Sequence, residues 1–307
     1  MRLIDTETGR FVECVDSTTA PLYAILSHTW DKREQSYQEV VKIQEAFGFS
    51  RSPPNHLRTP LAEPRRQTFS MHRNPSCLPN PHSPRPLEAQ THRPSPIRRS
   101  IWDPDSGLSE KVRKACEIAR RDGYRYIWVD SSCIDKTSSS ELSEAINSMF
   151  KWYRDAQICY ALLSDVPSDE DVRAKDSKFR ESRWFKRSWT LQELIAPRTV
   201  VFFSQDWKGL GTKDALVDLI EEITHIDRGV LTHKMALANE SVGERMRWAA
   251  EREATRVEDV AYSLLGIFGI TMPALYGEGE YAFRRLQEEI LRRIPDRTLF
   301  AWGECVP

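Results

Sequence analysis

Four short apolar runs, each ending abruptly in polar residues, constrain the fold of this chain more than any other feature. They are Tyr23-Ala24-Ile25-Leu26-Ser27, Tyr126-Ile127-Trp128-Val129, Ile158–Leu163 and Thr199–Ser204. An apolar run of this length without alternation has both faces buried, as strands of a parallel sheet do. The segments between them carry helical spacing instead. Tyr37, Val40, Val41 and Gln44 share a face in 36–46, and Val112, Ala115, Cys116 and Ala119 share one in 109–122, which Gly123 ends. Ser138 and Glu141 form a capping-box pattern ahead of a helix carrying Leu142, Ala145, Ile146, Met149, Phe150 and Tyr153. Two more helices are expected over 183–196, stopped by Pro197, and over 214–223. Leu3-Ile4 and Phe11-Val12 flank a Thr-Glu-Thr-Gly turn and read as a hairpin. Strands alternating with helices predict an α/β fold, a parallel sheet with helices on both faces. From Ser241 onward the spacing is helical only (242–253, 257–268 and 279–293), so an α-helical extension follows.

One segment breaks the pattern. Residues 51–100 hold 11 of the 18 prolines, nine arginines and only two acids, Glu63 and Glu88, for a charge of about +7. They contain no tryptophan and one aromatic, Phe69, so burial there cannot offset the entropy of ordering. The segment reads as a disordered insert, with a translated intron as one candidate origin. The fold tolerates it because loop closure costs only about 0.6 kcal/mol per doubling of length. The remaining 257 residues carry −8, so no nucleic-acid partner is expected of the body. No apolar run approaches the roughly 20 residues of a membrane helix, and the N-terminus lacks the apolar core of a secretory signal. Six cysteines without a CxxC pair suit a reducing, cytoplasmic setting and offer no metal-ligand pattern.

In doubly wound sheets ligands bind beyond the carboxyl ends of the strands. Two polar loops occupy such ends: Ser27-His28-Thr29-Trp30-Asp31, and Asp130-Ser131-Ser132-Cys133. A third candidate is Glu193, four residues after Trp189 and on the same helical face, so that an indole and a carboxylate overlook one pocket. Plainer readings stand beside these. A helical glutamate is ordinarily solvent-facing, Asp130 and Ser132 are good turn formers, and His28 beside Trp30 is as well explained by packing. Cys133 with His28 would make a thiol nucleophile and base, but its surroundings match no cysteine-hydrolase signature. Neither GxxxxGK[ST] nor GxGxxG occurs. The Tyr276-Gly277-Glu278-Gly279-Glu280 stretch serves equally as a break between helices.

Three blocks, in order, resemble the motifs of the fungal heterokaryon-incompatibility (HET) domain: Tyr23–Trp30, Trp128–Lys136 and Trp184–Leu194. The stretch Glu258–Phe268 through Leu275–Glu280 is similar to the segment that often follows such domains. The resemblance covers about 20–45 and 107–303, and divides the chain into a HET domain over 1–224, with the insert at about 48–104, and the helical extension over 225–307. It implies a role in non-self recognition that ends in programmed cell death.

That domain in turn resembles, distantly, TIR domains, whose fold is a flavodoxin-like parallel sheet. Ser188-Trp189-Thr190-Leu191-Gln192-Glu193-Leu194 is similar to a TIR segment of the pattern Trp-Cys-Leu-x-Glu-Leu, with Thr190 in place of the cysteine. In catalytically active TIR domains that glutamate is required to split NAD, which makes Glu193 the candidate catalytic residue. Ser27, His28, Trp30, Asp130, Ser132 and Trp189 are the residues expected to bind NAD, here a candidate substrate rather than a cofactor. No cofactor and no metal are called for. The chemistry is compatible, because one carboxylate near the ribose can stabilise the oxocarbenium charge that develops as nicotinamide leaves. The competing expectation is a non-enzymatic death-signalling module acting by self-association, with an upstream sensor protein as a partner. Sensor or repeat regions often follow in proteins of this kind; none is visible before Pro307, so the sequence is read as either a short effector or an incomplete one.

Overall fold

The structure, a computed structural model, describes residues 1–30, 33–48 and 100–300. The proline-rich segment expected to be disordered lies outside them, apart from Ser100, as does Asp31 of the first polar loop. The chain divides into two units, Met1–Arg51 with Ser100–Pro307, and Ser52–Arg99; the described residues belong to the first.

Seven strands form one sheet: β1 Arg2–Asp5, β2 Phe11–Glu13, β3 Tyr23–His28, β4 Tyr126–Val129, β5 Ile158–Leu162, β6 Val200–Phe203 and β7 Gly209–Thr212. Their order is β2-β1-β4-β3-β5-β6-β7. The four apolar runs make the parallel centre, with Leu26 opposite Val129 on one side and Tyr160 on the other, and Tyr160 opposite Val201. All six residues of β3 are buried, as a strand covered on both faces requires. Counted along the chain, the parallel strands run in the order 2-1-3-4, the arrangement of flavodoxin-like sheets.

The sheet is mixed rather than wholly parallel. The N-terminal hairpin adds two antiparallel strands beside β4, and β7 pairs antiparallel with β6. The reason is connection length: a parallel crossover needs a dozen or more residues, whereas only five separate β6 from β7. Both sheet edges are thus short antiparallel strands, which limits edge-to-edge pairing.

Helix ends follow local chemistry. Ser36 caps Tyr37–Ala46 with a complete capping box, its hydroxyl accepting from the Glu39 amide while the Glu39 carboxylate accepts from the Ser36 amide. At Ser138 only half of the expected box forms. Ser138 caps Ser139–Asp155, but the Glu141 carboxylate accepts from the Asp135 amide and from Arg2, each at 2.8 Å. The single helix expected over 183–196 is two, Arg183–Lys186 and Thr190–Ile195. Its backbone opens between them to pair with Glu253, whose carbonyl accepts from Ser188 at 2.8 Å and whose amide donates to Lys186 at 2.6 Å. The 257–268 helix likewise divides into Asp259–Tyr262 and Leu265–Phe268.

Described structure resumes at Ser100, and Ile101 is already buried, ahead of Leu108. It packs against Gly9, whose φ of +73° closes the β1–β2 turn and whose missing Cβ would fall 2.6 Å from Ile101. Gly266 is placed with still less room: a Cβ there would sit 2.0 Å from Phe150, so the Leu265–Phe268 turn touches the Ser139–Asp155 helix through bare backbone. The core runs unbroken from Leu3 and Ile25 through Trp128 and Trp184 to Tyr262 and Leu286. Among the described residues no helix is long and apolar enough to cross a membrane.

Candidate functional site

The Thr190–Ile195 helix is buried all round, which carries Glu193 into the interior against its ordinary preference. Leu191, Leu194 and Ile195 anchor it in the core, and Pro197 ends it. Its last carbonyls are satisfied by the buried Lys213 amine, which donates to Leu194 at 3.1 Å and Pro197 at 2.6 Å.

Glu193 is 7% exposed, and its polar contacts come from the carboxyl end of β3 and from the Ser139–Asp155 helix. The Trp184 indole donates to Ser27 Oγ at 2.8 Å, and Ser27 donates to Glu193 Oε2 at 2.5 Å. The Tyr153 hydroxyl also faces the carboxyl and favours its ionised form. Desolvation outweighs these donors: burial raises the Glu193 pKa to about 7, the Ser27 hydrogen bond opposes it, the charge of Asp130 adds to it, and Arg187 offsets part. Buried Arg252 adds its field; burial pushes its guanidinium down to about 10 and Glu193 is the charge that counters this.

A cavity of about 430 Å³ opens over Glu193, a volume suited to a small-molecule ligand. His28, Trp30 and Asp130 line it from the carboxyl ends of β3 and β4. Trp30 donates its indole N–H to Asp130 Oδ2 at 2.7 Å, and Lys136 Nζ lies 3.4 Å from the Trp30 ring centroid. Burial lowers the Lys136 pKa, against the opposing charges of Asp130 and Glu34. His28 is wedged between two acids, its Nε2 3.4 Å from Glu34 and its Nδ1 3.6 Å from Asp130.

The opposite wall comes from the C-terminal helices. Asp259 accepts from Tyr276 Oη at 2.8 Å, and burial raises its carboxyl pKa, against the Tyr276 and Trp189 side chains that favour its ionised form. The Arg256 guanidinium sits 4.5 Å from the centroid of Tyr276. The glycine-containing stretch is pinned beside it: Glu258 accepts from the Gly277 and Gly279 amides at 2.7 and 3.2 Å, and Glu278 accepts from Tyr262 at 2.7 Å and pairs with Arg285. This stretch therefore sets Tyr276 in the cavity wall as well as breaking the chain between helices. The cavity presents the deep carboxyl of Glu193, two indoles, the cations Lys136, Arg187 and Arg256 and the further carboxyls of Asp130 and Asp259.

Of the seven residues singled out from sequence, Glu193, His28, Trp30, Asp130 and Trp189 line this cavity. Ser27 lies behind Glu193 and orients it. Ser132 is turned away, its hydroxyl donating to the Gln35 carbonyl at 3.1 Å. Cys133 lies at a different cavity, beside Arg2 and Glu141, and burial pushes its thiol up to about 12; the structure does not join it to His28 as a nucleophile and base. Among the described residues no cluster of three His, Cys, Asp or Glu side chains is arranged to hold a metal ion. Lys136, Arg187, Arg256, Asp259 and Tyr276 were not foreseen as site residues. All but Arg256 lie inside the motif blocks, which is the signal that could have found them.

Residues 81–178 match the family model described as Heterokaryon incompatibility protein (HET), and residues 281–307 match a Domain of unknown function (DUF8212). The first match takes in β4, the Asp130 loop and β5, and ends before Glu193. Over 185 residues, 59% of its length, the chain is 47% identical to the Vegetative incompatibility protein HET-E-1 of Podospora anserina, of which this stretch covers 14%. No solved structure gives a significant match.

Proposed function

We propose that this chain, a fungal protein carrying a heterokaryon-incompatibility (HET) domain, acts in vegetative incompatibility, and that its domain hydrolyses NAD at the nicotinamide–ribose bond with Glu193 as the essential carboxylate. The observation that carries the chemical part is the setting of Glu193. It is a buried carboxyl with a pKa near 7, held by Ser27 at the floor of a ligand-sized cavity whose walls carry indoles and side chains of both charges.

Each part of this setting has a use in the reaction. The glycosidic C–N bond breaks with its electron pair leaving on nicotinamide, which departs neutral. Positive charge then develops on the ribose, and water adds to the anomeric carbon and gives up a proton. An ionised Glu193 in a water-poor pocket stabilises that charge far more than it would in water. The Trp184–Ser27 pair fixes the carboxylate before the substrate arrives, so little reorganisation is left for the reaction. Trp30 and Trp189 offer flat faces for the rings of a dinucleotide, and Lys136, Arg187 and Arg256 offer countercharge for its diphosphate. A substrate bearing a cationic nicotinamide also favours the ionised carboxyl, so binding itself prepares the catalytic form.

The test compares wild type with Glu193→Ala for nicotinamide release, toxicity on expression and self-association. Loss of nicotinamide release and of toxicity, with assembly intact, is the expected result. Toxicity that survives the substitution would instead favour a signalling module that acts by assembly alone.

A further inference from the structure

On the other side of Arg252 lies a second cavity, of about 460 Å³, that the reaction does not use. Arg252 is 8% exposed and forms no salt bridge among the described residues. Its Nε donates to the Trp248 carbonyl, and its Nη1 donates to the Arg187 carbonyl and to Thr190 Oγ1, all at 3.1 Å. A guanidinium has five N–H donors, so the pair on Nη2 remains, and these donate to no described residue. A buried cation without an adjacent anion is costly, and its donors ordinarily find a partner.

The cavity that Arg252 lines is itself cationic. Lys186, Arg247 and His225 line it too, against one acid, Glu251, which is exposed and lies 3.6 Å from Lys186. Arg247 is already bonded to Glu244, while Lys186 is half-exposed and paired with the exposed Glu251. Trp248, Phe185 and Ile223 supply apolar wall.

We propose that this cavity is a binding site for a small phosphate-bearing molecule, with the Arg252 Nη2 donors and Lys186 as its anion ligands. Phosphate fits better than a lone carboxylate, because the two N–H donors left on Nη2 and a second cation on one side match a dianion with several acceptor oxygens. The site lies outside the Glu193 cavity and does not depend on what that cavity does. Arg252 lines only this second cavity but couples electrostatically to Glu193, so an anion here weakens the field that Arg252 exerts on Glu193.

Inorganic phosphate and pyrophosphate are the probes, titrated by calorimetry and thermal shift at constant ionic strength in chloride. Wild type is expected to bind and to melt at higher temperature. Lys186→Glu, a substitution at a half-exposed side chain, is expected to weaken binding at least about tenfold without lowering the melting temperature of the free protein. Arg252→Lys keeps the charge but removes the Nη2 donors and is expected to weaken binding as well. Lys136→Ala and Arg256→Ala, in the Glu193 cavity, are expected to leave unchanged the phosphate binding that Lys186→Glu weakens, whatever pyrophosphate the Glu193 cavity takes up. Loss of binding in those two with retention in Lys186→Glu would move the anion to the Glu193 cavity and overturn the proposal. Absence of saturable binding by wild type would overturn it too.

Discussion

Replacing Glu193 by glutamine should stabilise the protein, and only above a defined pH. The side chain keeps its shape and still accepts from Ser27, but it cannot ionise. In the unfolded chain the Glu193 carboxyl titrates near 4.5, and in the folded protein near 7. Below 4.5 both states are protonated and ionisation costs folding nothing. Between 4.5 and 7 the unfolded chain has lost its proton and the folded protein retains it, so stability falls as pH rises. Above 7 the loss is complete, at about 3 kcal/mol. For a chain of this size that corresponds to roughly 6–10 °C in Tm. Denaturant or thermal melts of wild type and Glu193→Gln from pH 4 to 9 should therefore converge at acid pH and separate by that amount at pH 8. A difference independent of pH would refute the claim that burial holds this carboxyl near neutrality.

Three further outcomes follow from the same geometry. Asp130→Asn removes a negative charge that disfavours ionisation of Glu193, so the Glu193-dependent transition in those melts should move to lower pH while the protein stays folded. Gly266→Ala should lower stability by about 1–3 kcal/mol, measured by denaturant melts, because its Cβ has no space against Phe150 and the neighbour is the root of a side chain rather than a flexible tip. Cys133 should resist thiol reagents in the native protein and react only on unfolding, as mass spectrometry of labelled peptides would register; rapid native labelling would contradict its buried, protonated state.

The sheet was largely legible because a strand buried on both faces must be apolar along its whole length, and each of the four such runs became a parallel strand. β7 was not legible, since Gly-Leu-Gly-Thr carries no strand pattern and is recruited by the short turn after β6. The break at Arg187-Ser188 was hidden for a related reason: local spacing favoured one helix, and pairing with Glu253, 65 residues further on, prevailed. At the site, Trp189 and Glu193 could be put together from helical periodicity, and His28 and Asp130 from their positions at strand ends. What periodicity does not carry is the identity of residues brought in from far along the chain. Arg256, Asp259 and Tyr276 looked like parts of a separate helical stretch, yet they wall the cavity over Glu193. Arg252 lay in a stretch that local spacing made a continuous helix, and it is a buried cation that lines the second cavity.

The most direct measurement of the central claim is nicotinamide release from NAD by wild type and Glu193→Gln, side by side, at matched protein concentration and across pH 5 to 9. For wild type kcat/KM should rise through about pH 7 as Glu193 of the free enzyme ionises, and Glu193→Gln should be slower by roughly 10²–10³-fold while remaining folded. Equal turnover by the two proteins, or none by wild type, would contradict the assignment of Glu193 as the carboxylate that cleaves NAD.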